Sequence, residues 1–219
     1  MDTPADLTPH RGLDVWSDPG RERLATSANV VTAVRTLAAA VLAAAAVAQG
    51  SLTLLLVSLA VYWGGDILDG AVARARGCET RVGAVLDIAS DRFCAAVFYV
   101  GLAWLEPHLV LPVFLYLAEF MVVDTFLTLA FLAWPIRSPN YFFVVDRQIW
   151  RWNWSKPAKT LNSSLFAVVL LVTGTPWVGV LVAVGLLVVK TASLVVLVGR
   201  GLPVPPAPDA ASGAAAGSR

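Results

Sequence analysis

The chain has 219 residues, of which 58% are hydrophobic and 14% charged. Soluble domains carry about 25% charged residues, so an ordinary water-soluble fold is excluded. The formal net charge of +1 gives no reason to expect a nucleic-acid partner. A bilayer-spanning helix takes about 20 apolar residues. The chain therefore has room for six spans and little else, and the expected fold is an all-α polytopic membrane protein.

Residues 1–28 are polar, so no cleavable signal peptide is expected. Within them, Asp14 to Ala25 is compatible with a short surface helix, setting Val15, Trp16 and Leu24 against Arg21, Glu22 and Arg23, or with a disordered tail. The membrane domain is expected over 29–198. Its six helices run about Asn29–Ala48, Ser51–Arg74, Val82–Trp104, Leu109–Trp134, Pro157–Thr173 and Trp177–Val198. A polar segment, Pro135 to Lys156, separates the fourth from the fifth. The tail, 199–219, is rich in Pro, Ala and Gly and is expected to be disordered and cytoplasmic. Cys78 and Cys94 form no metal-site pattern and read as packing residues.

Lys and Arg fix the expected orientation. Arg21 and Arg23 precede the first span. Arg74, Arg76 and Arg81 join the second to the third. Arg137, Arg147, Arg151, Lys156 and Lys159 lie between or beside the fourth and fifth, and Arg200 follows the sixth. The alternate loops carry neither residue. Both termini and every basic loop are therefore expected in the cytoplasm, in the cell membrane if the source is prokaryotic.

Asp66 to Asp91 is the stretch with chemistry in it. Asp66, Asp69, Gly70, Ala73 and Arg74 recur at helical steps and share a face. Gly83, Asp87 and Asp91 share a face of the next helix. Four carboxylates in so apolar a setting need a proton, a cation or a metal to neutralise them. Hard oxygen ligands favour Mg²⁺, Mn²⁺ or Ca²⁺ over zinc. Small residues at 70, 73 and 83 let a flat or phosphate-bearing ligand approach the backbone, and Arg74 is placed to clamp a phosphate.

The spacing Asp66-x2-Asp69-Gly70-x2-Ala73-Arg74-x8-Gly83-x3-Asp87-x3-Asp91 resembles the signature of the CDP-alcohol phosphotransferases at every position. The resemblance implies a membrane enzyme of six transmembrane helices, often homodimeric, in phospholipid synthesis. Such an enzyme moves a phosphatidyl group from CDP-diacylglycerol to an alcohol and releases CMP. It implies Asp66, Asp69, Asp87 and Asp91 as ligands to a pair of Mg²⁺ or Mn²⁺ ions, with Asp91 as general base. It also implies Asp69, Gly70, Ala73, Arg74 and Gly83 as the CDP site. Asn29, Thr32 and Arg35 resemble the N-x-x-T-x-x-R opening of the family's first helix. Arg35 either snorkels to the headgroups or faces the nucleotide or phosphate pocket.

Candidates for the acceptor's phosphate are Arg35, Arg147, Arg151, Lys156 and Lys159, although basic and aromatic residues at 137–159 also suit lipid headgroups. Ser155 to Thr160 looks like a variant of the Gly-Lys-x-Lys-Thr segment of phosphatidylglycerophosphate synthases, without the glycine and with lysines one residue further apart. Glycerol 3-phosphate is thus the first expectation. Asp87-x3-Asp91-Arg92 is similar to the pattern of cardiolipin synthases and inositol-phosphate-using members, which makes inositol phosphate or phosphatidylglycerol the alternative. Glu119, Asp124 and Lys190 fall inside spans. They either pair between helices or, in the case of Glu119 and Asp124, bind the acceptor. A small cation transporter and an inactive lipid-binding relative are the readings of other classes.

Overall fold

The computed structural model describes residues 15–203. Among them it is helical throughout and contains no strand. The helices are α1 (Ser27–Gln49), α2 (Leu52–Ala75), α3 (Arg81–Leu105), α4 (Pro107–Ala133), α5 (Arg147–Asn153), α6 (Lys156–Thr173) and α7 (Pro176–Arg200). The first three start on side-chain caps. Thr26, Ser51 and Thr80 accept from the backbone N–H of Asn29, Leu54 and Gly83. α1 stops where Gly50 turns left-handed at φ 63° and returns its N–H to the Ala46 and Val47 carbonyls.

α1 shows which way the helices face. Val30, Val34, Leu37 and Val41 lie on one stripe, each 58% or more exposed. Asn29, Thr32, Arg35, Ala39, Ala43 and Ala46 lie on the buried stripe. Apolar residues outside and polar residues inside is the pattern of a chain whose solvent is lipid. Five helices, α1 to α4 and α7, are long and apolar enough to cross a membrane. α6, expected as the fifth span, is 18 residues long, but its apolar part is the shorter stretch Ser164–Thr173.

Two apolar clusters hold the bundle. In the first, Phe98, Tyr99, Tyr116 and Phe166 bring α3, α4 and α6 together, with the Tyr116 and Phe166 rings stacked at 4.2 Å. In the second, Leu127, Ile136, Phe142, Ile149, Trp154 and Leu197 pack the segment after α4 against α5 and α7. The stretch expected as a polar cytoplasmic loop is thus an ordered cap. It holds a 3-10 helix at Pro139–Val144 and α5, which Asp146 caps through the N–H groups of Gln148 and Ile149. Arg200 Nη2 holds Asp146 at 2.7 Å, tying the end of α7 to the same cap.

The N-terminal segment departs from the surface-helix expectation. Among the described residues ahead of α1, only Pro19–Arg21 is helical, as one 3-10 turn. Trp16 pairs with Ile136 in an isolated antiparallel bridge, with Ser17 N–H donating to the Pro135 carbonyl and Arg137 N–H to that of Val15. Val15 and Ile136 are both buried, and that burial favours the extended pairing over a free amphipathic helix. Glu22 caps α3, accepting from the N–H groups of Arg81 and Val82 at 3.0 and 3.1 Å. The expected disordered tail lies, from residue 204 on, outside the described residues, as do residues 1–14.

α4 is not a uniform helix. Glu119–Asp124 forms a π-helical turn within it. Such a turn widens the helix locally and is found most often at functional sites.

Candidate active site

The four aspartates converge on Arg35. α1 brings its guanidinium between α2 and α3, where it is 3% exposed. Arg35 Nε donates to Asp69 Oδ2 at 2.6 Å, and Nη2 donates to Asp87 Oδ1 at 2.6 Å and Asp91 Oδ1 at 3.0 Å. Asp66 Oδ1 lies 3.6 Å from the same Nη2. Thr32, one turn earlier on α1, donates to Asp69 Oδ2 at 2.9 Å. Arg35 therefore does not snorkel; it is the fixed cation of the carboxylate cluster.

Gly65 makes this possible. A Cβ there would come within 2.5 Å of the Arg35 Cβ, so only glycine lets α1 approach α2 with the arginine stem between them. Nothing in the local sequence pattern singles out Gly65. Its reason is a partner thirty residues earlier in the chain.

One guanidinium cannot neutralise four carboxylates, and the remaining charge calls for protons or further cations. The donor set suits a metal of hard character. Asp66, Asp69 and Asp87 each offer an oxygen within 4.8 Å of the others, the all-carboxylate chemistry that Mg²⁺ and Mn²⁺ accept.

Two cavities flank the cluster. The smaller, about 90 Å³, is lined by all five residues expected for the nucleotide: Asp69, Gly70, Ala73, Arg74 and Gly83. Gly70 faces open space apart from the Arg74 guanidinium, 3.2 Å from where a Cβ would lie. Gly83 is different. A Cβ there would meet Thr80 Oγ1 at 2.8 Å and Asn29 Oδ1 at 3.0 Å, so its smallness also serves the α3 cap. Tyr141 closes this side by donating to Glu79 Oε2 at 2.7 Å. Burial, with the Glu79 carboxylate beside it, pushes the Tyr141 hydroxyl up to about 12 and keeps it a donor.

The larger cavity, about 430 Å³, is lined by Asp66, Asp87 and Asp91 from the cluster. Further around its wall stand Arg92, Glu119, Asn153, Lys159 and Lys190. Ser138 and Asn140 of the cap border both cavities. Of the expected acceptor-phosphate residues beyond Arg35, only Lys159 lines this space. Arg147, Arg151 and Lys156 are exposed and line neither cavity. Sequence reasoning gave no role to Asn153 or Ser138, because the loop that carries them looked like surface. The interhelical pairing of Asp124 and Lys190 is present at 2.5 Å, and Arg92 completes it from α3. Arg92 also lies over the Phe120 ring, 3.8 Å from its centroid.

A family model described as CDP-alcohol phosphatidyltransferase matches residues 25–197. Among curated proteins, the phosphatidylinositol phosphate synthase of Mycobacteroides abscessus is 47% identical over 53 residues, 20% of this chain and 24% of the relative. The protein of the same name from Mycobacterium marinum is 56% identical over 39 residues, 18% of this chain and 17% of the relative. That from Mycolicibacterium smegmatis is 41% identical over 69 residues, 27% of this chain and 31% of the relative. The matched stretches thus span less than a third of the relatives' own length. No solved structure matches. The family match runs from before Arg35 to beyond Lys190 and takes in every residue that lines either cavity: the chain belongs to the CDP-alcohol phosphatidyltransferase family.

Proposed function

We propose that the chain is a metal-dependent membrane enzyme that transfers a phosphatidyl group from CDP-diacylglycerol to an inositol phosphate and releases CMP. The observation that carries the reaction class is the meeting of four aspartates with a cleft of small residues on one side and, on the other, a larger cavity that has charged residues on its wall. For the acceptor, the relatives' names favour inositol phosphate over the glycerol 3-phosphate suggested by Ser155 to Thr160. The departures in that segment already weakened the glycerol 3-phosphate reading.

In this account Asp69, Gly70, Ala73, Arg74 and Gly83 hold the CDP moiety in the smaller cavity. Arg74 supplies the charge-assisted contact to phosphate. Asp66, Asp69, Asp87 and Asp91 would hold a pair of Mg²⁺ or Mn²⁺ ions, which would supply neutralisation of the pyrophosphate and of the leaving oxygen. Arg35 keeps the carboxylates oriented. The acceptor lies in the larger cavity with its phosphate near Lys159. Its hydroxyl oxygen bonds to the lipid-side phosphorus as that phosphorus's bond to the bridging oxygen breaks. The bond's electron pair leaves with CMP, and the hydroxyl proton passes to Asp91.

The same reading supplies a sixth span. α6 turns Lys159, Thr160, Asn162 and Ser164 toward the larger cavity. Polar residues at membrane depth are tolerated where they line such a space. A helix of 18 residues is about 27 Å long, close to the hydrocarbon thickness of ~30 Å. Six spans return both termini to one side, and the basic loops argue that this side is the cytoplasm. A homodimer is part of the proposal by family resemblance.

The test is CMP release by purified protein from CDP-diacylglycerol with Mg²⁺, screened against inositol 1-phosphate, glycerol 3-phosphate, inositol, serine and phosphatidylglycerol. Release with inositol 1-phosphate supports the proposal. Release only with another acceptor rejects the substrate, and silence with all five rejects the reaction.

A further inference from the structure

Three residues that line the larger cavity each carry a buried side-chain oxygen with no hydrogen-bond partner: Glu119 Oε1, Ser138 Oγ and Asn153 Oδ1. Glu119 and Asn153 are each 2% exposed. Buried polar atoms are normally satisfied, and each exception calls for an explanation. The neighbouring cations do not satisfy Glu119: Lys190 and Arg92 direct their ion pairs to Asp124, and neither pairs with Glu119 among the described residues. Glu119 opens the π-helical turn, the one irregular stretch in the middle of α4, where widened turns tend to serve function.

The amide of Asn153 cannot be reversed to remove its orphan. Nδ2 donates to the Ile149 carbonyl and to Ser193 Oγ, each at 2.9 Å. Ser193 uses its own proton on the Val189 carbonyl. Turning the amide would set its oxygen against the Ile149 carbonyl oxygen, two acceptors with no proton between them. Asn153 Oδ1 and an ionised Glu119 are thus acceptors, the Ser138 hydroxyl can donate or accept, and all three residues line the same space. What satisfies them is a ligand carrying several hydroxyl donors. A space of about 430 Å³ falls within the range of small-molecule sites, ~300–1,000 Å³.

We propose that Glu119 and Asn153 form a hydroxyl-reading subsite for the polyol part of the acceptor. The proposal rests on the phosphatidyl-transfer reading for the ligand's role, not for its chemistry. It is tested by equilibrium binding to the purified full chain in detergent. The probes are myo-inositol 1-phosphate, its single-deoxy analogues, glycerol 3-phosphate and CDP-diacylglycerol. The proteins are wild type, Glu119→Met and Asn153→Ala.

The expected result is a loss of polyol-phosphate affinity of about tenfold or more in each variant, with CDP-diacylglycerol affinity held within about twofold. At least one ring-hydroxyl deletion should cost about tenfold in wild type and little in Glu119→Met, because the partner oxygen is already gone. The proposal is overturned if wild type binds neither polyol phosphate, or if the variants keep wild-type affinity for both. It is also overturned if both variants lose CDP-diacylglycerol binding in parallel, or if every hydroxyl deletion costs the same with and without Glu119. Glu119-dependent binding without CMP release would leave the subsite standing and remove the phosphatidyl-transfer reading.

Discussion

Replacing Arg35 with methionine keeps the stem and removes the charge on which four aspartates converge. At 3% exposure the group is too buried for solvent to screen the loss. Breaking a buried ion pair by removing one partner costs about 3–5 kcal/mol, and here Asp69, 5% exposed, is the partner left buried and uncompensated. On the scale of chains of 150–250 residues, where 1 kcal/mol shifts the midpoint by ~2–4 °C, that is a fall of about 6–20 °C. The assay is thermal unfolding of the purified protein in detergent, followed by tryptophan fluorescence, for which the chain carries eight indoles. In EDTA, Arg35→Met should melt well below wild type. Mg²⁺ at about 100 times its dissociation constant adds about 2.7 kcal/mol. It should raise the variant more than the wild type, since the metal then supplies neutralisation that Arg35 otherwise gives. A variant melting within about 2 °C of wild type in EDTA, or equal Mg²⁺ shifts for both proteins, would refute the reasoning.

Other perturbations have equally definite outcomes. Asp91→Asn should abolish turnover and leave CDP-diacylglycerol binding intact; near-normal CMP release in that variant removes the base assignment. EDTA should stop CMP release, and Mg²⁺ or Mn²⁺ should restore it; full activity in the chelator would rule out the metal. Gly65→Ala places a Cβ 2.5 Å from that of Arg35. It should destabilise the protein by about 1–3 kcal/mol and lower activity, whereas Gly64→Ala, which meets nothing within 4 Å, should do neither.

What could be read from the chain followed from local spacing. Asp66, Asp69, Gly70, Ala73 and Arg74 recur at helical steps, so their common face was legible, as were Gly83, Asp87 and Asp91 on the next helix. The structure sets all five nucleotide candidates on one cavity wall. Helix limits fell within a few residues of observation because Thr26, Ser51 and Thr80 cap where the apolar runs begin. Interactions between distant segments were not legible. Trp16 pairs with Ile136, a partner far along the chain, so the N-terminal stretch resembled a free amphipathic helix. Glu119 and Asn153 are joined by a cavity between α4 and α5, which no periodicity encodes. The π-helical turn left the apolar pattern of α4 intact and gave no sign of itself. Arg147 and Arg151 illustrate the converse: charge and proximity in sequence suggested a site, and the fold turned them outward.

The central claim is transfer of a phosphatidyl group to an inositol phosphate. Its most direct test is the mass of the lipid formed when purified protein receives CDP-diacylglycerol, Mg²⁺ and equal concentrations of inositol 1-phosphate and glycerol 3-phosphate. Phosphatidylinositol phosphate should be the dominant product, with CMP in equal amount. Phosphatidylglycerophosphate as the main product, or no new lipid, would contradict it.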